Sequence, residues 1–205
     1  MKRFLAFFSY VFHPLFTPSY ASALYFALTR NFFYPQEIYL VFVQVFIVTV
    51  LLPVSIFFLL RSLGLMRSSV AIENKERRLP LAFYALLLFV LIKHSFSVTV
   101  ITELYYFFLG ILISTLAALL LVLFRQKGSL HVMGVSALTV YCFSLAAYYE
   151  VNLLPLVAIM VFATGAVASS RMYSGNHSLG EVTLGALLGI LPQVVLWPVW
   201  LLPAL

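Results

Sequence analysis

Runs of about twenty apolar residues recur along this chain, and they leave few folds open to it. Tyr39 to Leu60 contains no charged side chain, and about twenty apolar residues is the length at which a helix crosses a bilayer. Backbone amides and carbonyls inside hydrocarbon must be satisfied within the segment itself, which selects helices. Of the 205 residues, 64% are hydrophobic and only 9% are charged, against roughly 25% charged in soluble domains. The expected fold class is all-α: an integral membrane helical bundle of six to seven transmembrane helices. It forms a single membrane domain over residues 1–205, with a motif-bearing core at about 61–201.

Taken in order, residues 4–28 are apolar but interrupted by His13, Pro14 and Pro18, which fits either a kinked span or a re-entrant segment. The N-terminus has no small-residue cleavage site after a short apolar core, so it is expected to be retained. Residues 39–60 form a span that Pro53 is expected to bend. Residues 61–80 are the longest polar stretch. Apolar runs at 81–97 and 100–124 suit a two-helix hairpin turning at Lys93, His94 and Ser95. A loop at 125–129 precedes a span from His131 to about Tyr149. Further spans cover 153–168 and 179–201, with Pro192 and Pro198 bending the last one.

Counting crossings brings the polar parts together. The stretches at 61–80, 125–130 and 169–177 are each separated by two spans, so all three lie on one face. With seven spans the N-terminus joins them, and ten of the twelve basic residues then fall on that face: Lys2, Arg3, Arg61, Arg67, Lys75, Arg77, Arg78, Arg125, Lys127 and Arg171, leaving Arg30 and Lys93 opposite. By the positive-inside rule that face is cytoplasmic. The net charge of +6 thus belongs to topology and to a site. No basic stripe or aromatic platform calls for nucleic acid. The single cysteine, Cys142, excludes an intrachain disulfide. With no aspartate and six glutamates, a two-metal carboxylate cluster is not expected, and no cofactor or metal is assigned.

The densest chemistry lies in Ser169 to Glu181. His177 and Glu181 are four residues apart at the start of an apolar run, a spacing that puts them on one helical face. An imidazole that donates one N–H to a carboxylate keeps its other nitrogen free to attack or to accept a proton. Arg171 offers a planar fork of donors for phosphate or carboxylate. The same residues also fit an ordinary interfacial flank of a membrane helix, and the sequence leaves both readings open. Two other loops add related groups: Lys75 and Arg78, one turn apart in NKERRLP, with Arg77 as a rival to Arg78, and Ser129 with His131 in GSLH.

In order and setting, these three pieces resemble the three-part signature of the type 2 phosphatidic acid phosphatase superfamily. Ser170 and Arg171, five residues, His177, three residues and Glu181 reproduce the third part, with glutamate in place of aspartate. Ser129 and His131 match the second part in part, with Leu130 replacing a glycine. Lys75 and Arg78 are closer together than in the first part, and Leu79 stands between Arg78 and Pro80.

The resemblance implies a lipid phosphate or pyrophosphate phosphatase that works without metal. His177 would form a phosphohistidine, Glu181 would hold it, and His131 would protonate the leaving group. Lys75, Arg78, Ser129 and Arg171 would bind the phosphoryl oxygens. The expected partners are a membrane lipid phosphate and the bilayer, in a bacterial cytoplasmic membrane. The alternative is a catalytically silent relative that serves as a lipid-binding or structural subunit beside another membrane protein.

Lesser features are read structurally. Gly185 and Gly189 form a small-residue stripe suited to close helix packing. Glu103 and His94 are expected at the hairpin end, opposite the site, and Tyr10, Tyr20, Tyr105, Tyr106, Trp197 and Trp200 as interfacial anchors.

Overall fold

The computed structural model describes residues 2–65 and 74–204, with backbone alone for 2–6, 74, 75 and 204. Among the described residues there are eight principal helices and no strand. They are α1 (Lys2–Val11), α2 (Thr17–Thr29), α3 (Pro35–Ser62), α4 (Asn74–Ser95), α5 (Thr102–Leu123), α6 (Leu130–Tyr148), α7 (Leu154–Tyr173) and α8 (Leu179–Val195), the last followed by a short turn of helix at Trp197–Trp200. Six of them, α3 to α8, are long and apolar enough to cross a membrane, and the protein is an all-α membrane bundle. Its outward faces carry large apolar side chains such as Phe58, Leu120, Phe162 and Val195, as a surface facing lipid requires.

The N-terminal segment is a broken helix. At 10 and 13 residues, α1 and α2 reach about 15 and 20 Å, each short of the ~30 Å hydrocarbon core. The break at residues 12–16 holds His13 and Pro14, and α1 then packs along α7 whereas α2 packs on α3, α5 and α6. Within α3, residues Ile47–Leu51 make a π-helical turn just before Pro53. Proline has no N–H to give to the preceding turn, and a widened turn is a common way to accommodate that loss.

Two glycines set the spacing between α6 and α8. A Cβ on Gly189 would collide with the Met133 carbonyl and the Ser136 hydroxyl, and one on Gly185 would lie 2.9 Å from the Ser129 nitrogen. The small-residue stripe therefore lets two backbones touch, as expected from the sequence. Val132, Val135, Ala163, Val167 and Val182 form a small apolar cluster from α6, α7 and α8, with Phe8 and Phe12 packed against it.

At the other end, Glu103 stands in the first turn of α5, at the end of the hairpin as expected, but it is buried there rather than exposed. It is 5% exposed, and the Tyr149 hydroxyl donates to its Oε1 at 2.7 Å. Tyr25 and Tyr148 also lie within electrostatic reach of this carboxyl group. This buried carboxyl group brings α2, α5 and the end of α6 together. Glu103→Leu removes the acceptor of the Tyr149 hydroxyl and is expected to cost about 1–3 kcal/mol, with Glu103→Gln in between. Thermal unfolding in detergent measures this; a leucine variant as stable as wild type would contradict it.

Candidate functional site

The site begins with the cap of α8. Ser178 is the N-cap and Glu181 the third helical residue, joined as a capping box: the Glu181 N–H donates to Ser178 Oγ, and the Ser178 N–H donates to Glu181 Oε2 at 3.3 Å. Glutamate is the residue that spans this distance well, which gives a physical reason for glutamate at 181. His177 therefore lies just before the helix rather than on its first turn. It meets Glu181 across the cap, with Nδ1 to Oε2 at 2.8 Å. Facing a carboxylate, Nδ1 carries the proton, so the Nε2 lone pair is free. Lys127 Nζ stands 3.5 Å from the other carboxylate oxygen.

Local chain geometry makes that contact available. Helix α7 runs five residues beyond the expected end at 168, which places Arg171 on its last turn. Gly175, at φ +68, reverses the chain, and the His177 N–H donates to the Arg171 carbonyl at 3.3 Å. The second loop is joined to the same helix end, where the Ser129 N–H donates to the Glu181 carbonyl at 3.0 Å. Ser129 is itself the N-cap of α6, so His131 is fixed two residues into a helix that starts beside α8.

Charge converges here from four elements. Arg77 and Arg171 act on His177, and Arg77 also acts on Arg171 and Glu181. His131 feels Arg171, His13, His177 and Arg77. Among the described residues, the basic residue that α4 contributes to this field is Arg77, the rival to Arg78, whose guanidinium Nε is buried with no hydrogen-bond partner there. Lys75 lies in the first turn of α4, but its side chain is outside the described residues, as is all of Arg67. Ser129 Oγ and Arg171 Nε are likewise buried with no hydrogen-bond partner among the described residues. Unpaired donors among several cations are costly to bury, and an anion would satisfy them.

The structure thus joins His177, Glu181, Ser129, His131 and Arg171, and adds Lys127 and Arg77. It also adds His13, whose ring sits edge-on to that of His131 at 5.0 Å and 82°. In the sequence His13 marks only an interruption of an apolar run, and no spacing rule links residue 13 to residue 131. Two open depressions flank these groups: one of about 510 Å³ beside Lys127, Ser178 and Glu181, and an apolar one of about 270 Å³ beside Phe12, Leu138 and Met160. Neither is lined by His131, Arg171 or His177; His131 and Arg171 lie beside His13 in the break between α1 and α2.

Burial is the main cause lowering the His177 pKa below its ordinary 6.5; the hydrogen bond that the ring donates to Glu181 opposes this, and the charges of Arg77 and Arg171 add to it. Whatever stability the neutral ring contributes is fully present above the unfolded value of about 6.5 and is lost as pH falls through the lower folded value. An NMR titration of the ring in detergent is expected to show a midpoint below that of a free histidine. Glu181→Ala should lower it further and Arg171→Ala should raise it. Shifts of opposite sign would contradict this arrangement.

Comparison with family models, curated proteins and solved structures returns no significant match to this chain. What the site does must be argued from its own groups.

Proposed function

We propose that this protein is a membrane phosphatase of lipid phosphates or pyrophosphates, in which His177 attacks phosphorus without a metal ion. The observation that carries this reading is the His177–Glu181 pair at 2.8 Å, set among Arg77, Arg171 and His131. Phosphoryl transfer asks mainly for an in-line nucleophile and for positive charge around three equatorial oxygens, and these groups supply both. Nε2 of His177 bonds to phosphorus as the bond to the leaving oxygen breaks, and His131 gives that oxygen a proton. As positive charge builds on the ring, the Nδ1 proton shifts toward Glu181, whose carboxylate balances that charge. His131 then takes a proton from water as the water oxygen attacks phosphorus and the P–N bond breaks, which returns His177 as the free imidazole. Arg171, Arg77 and Ser129 hold the oxygens throughout, in this reading with Lys75 and Arg78 beside them. The order and spacing of Ser170, Arg171, His177 and Glu181 within the phosphatidic acid phosphatase resemblance support the same chemistry.

A second reading has its own observation. Neither depression is lined by His131, Arg171 and His177, which fits a protein that keeps the arrangement and binds lipid without turning it over. Phosphate release by purified protein, over a panel of lipid phosphates with chelator present, separates the two. Release that persists with chelator supports the enzyme; no release from any lipid, with binding retained, supports the silent relative.

A further inference from the structure

The broken N-terminal helix joins the histidine cluster to the apolar depression. That depression lies between the break, α2, α6 and α7, and Phe12, Leu24, Leu138, Cys142, Leu156 and Met160 are among its walls. Phe12 is followed directly by His13, which touches His131. The helical registers agree: His131, Leu138 and Cys142 are at i, i+7 and i+11 on α6, and Met160 and Arg171 are at i and i+11 on α7. Each set shares one face of its helix. Two walls therefore carry polar, phosphate-type groups at one end and apolar groups at the other, about 16 Å further along by helical rise. The break is held in place, with the Tyr20 hydroxyl donating to the Val11 carbonyl at 2.8 Å and Ser9 Oγ donating to Ser170 Oγ at 2.8 Å, beside Arg171. The Leu15 N–H donates to His13 Nδ1 at 3.4 Å, so Nε2 of His13 carries the proton and is a donor.

We propose that this depression is the chain subsite for one slender alkyl or prenyl tail of an anionic amphiphile, with His13 as a third imidazole that donates to its phosphate. This rests on the reading of the histidine cluster as a phosphate site. A volume of about 270 Å³ is below the ~300–1,000 Å³ of sites for drug-sized ligands, which fits a single chain rather than two. Lipid tails are as apolar as the groove, so the bilayer supplies no hydrophobic force for entry. What the groove contributes is orientation, laying the chain along α6 so that the phosphate comes to His13, His131 and Arg171.

The test uses the purified full chain in a steroid detergent, which has no alkyl tail to compete. Thermal unfolding against ligand concentration gives apparent affinities for dodecyl phosphate, butyl phosphate and dodecanol. Dodecyl phosphate is expected to bind about tenfold or more tighter than either of the others. Leu156→Trp and Leu24→Trp, both at half-buried wall positions, should erase that chain-length advantage and leave butyl phosphate unchanged, whereas His13→Ala should weaken both phosphates alike. Equal affinity for dodecyl and butyl phosphate, or an advantage that survives both tryptophans, overturns the chain subsite. Unchanged phosphate affinities in His13→Ala overturn the role of His13. Hydrolysis is scored separately: this binding pattern without turnover sinks the phosphatase reading and leaves the groove standing, and turnover without chain preference does the reverse.

Discussion

Replacing His177 with alanine is expected to lower chelator-resistant phosphate release by about 10⁵-fold or more, the scale on which loss of a nucleophile acts. Its side chain is 2% exposed and held by Glu181 at 2.8 Å, and in the proposed mechanism it is the group that bonds to phosphorus. Glu181→Gln separates charge from geometry. Glutamine can still close a capping box, so the helix end should survive, but the ring loses the carboxylate that fixes its tautomer and balances its charge. By analogy with other carboxylates behind catalytic histidines, a loss of about 10³–10⁴ is expected. Both variants should keep their helical circular dichroism. Wild-type turnover in His177→Ala would assign the chemistry to another residue.

Gly189→Val is expected to destabilise the protein by about 3 kcal/mol or more, at the upper end of overpacking effects. The atoms that a side chain would meet are the Met133 carbonyl and the Ser136 hydroxyl of α6, and the helix backbone cannot swing aside as a side chain would. Pushing α6 from α8 also draws Ser129 and His131 away from His177, so activity should fall with stability. Gly180 is the internal control: a Cβ there meets nothing within 4 Å, and Gly180→Ala should be neutral or stabilising by up to about 1 kcal/mol. Equal unfolding midpoints for Gly189→Val and wild type would show that the two helices are not locked at this crossing.

The sequence made the bundle legible because apolar run length is a strong signal, and parity of crossings placed the three loops on one face before any contact was known. The spacing of His177 and Glu181 foretold their contact, although it arises through a capping box at Ser178 rather than along a helix face. The role of Glu103 was not legible: its neighbours Tyr25, Tyr148 and Tyr149 come from distant segments, and tyrosines near a span end read equally well as interfacial anchors. His13 was hidden for a similar reason, since only the break at Pro14 turns it toward His131. Arg77 and Arg78 are adjacent in sequence but 100° apart on a helix, and which of them faces the site depends on how α4 is rotated in the bundle.

The central claim is that His177 carries the phosphoryl group. A rapid-quench experiment with lipid substrate labelled in the phosphate tests it most directly, with the quenched protein digested and the label mapped. The account predicts covalent label on His177 that is stable in alkali and lost in acid, as a phosphorus–nitrogen bond requires, and absent in His177→Ala. Label on another residue would contradict it, as would turnover that leaves no label on His177 even when hydrolysis is slowed by His131→Ala.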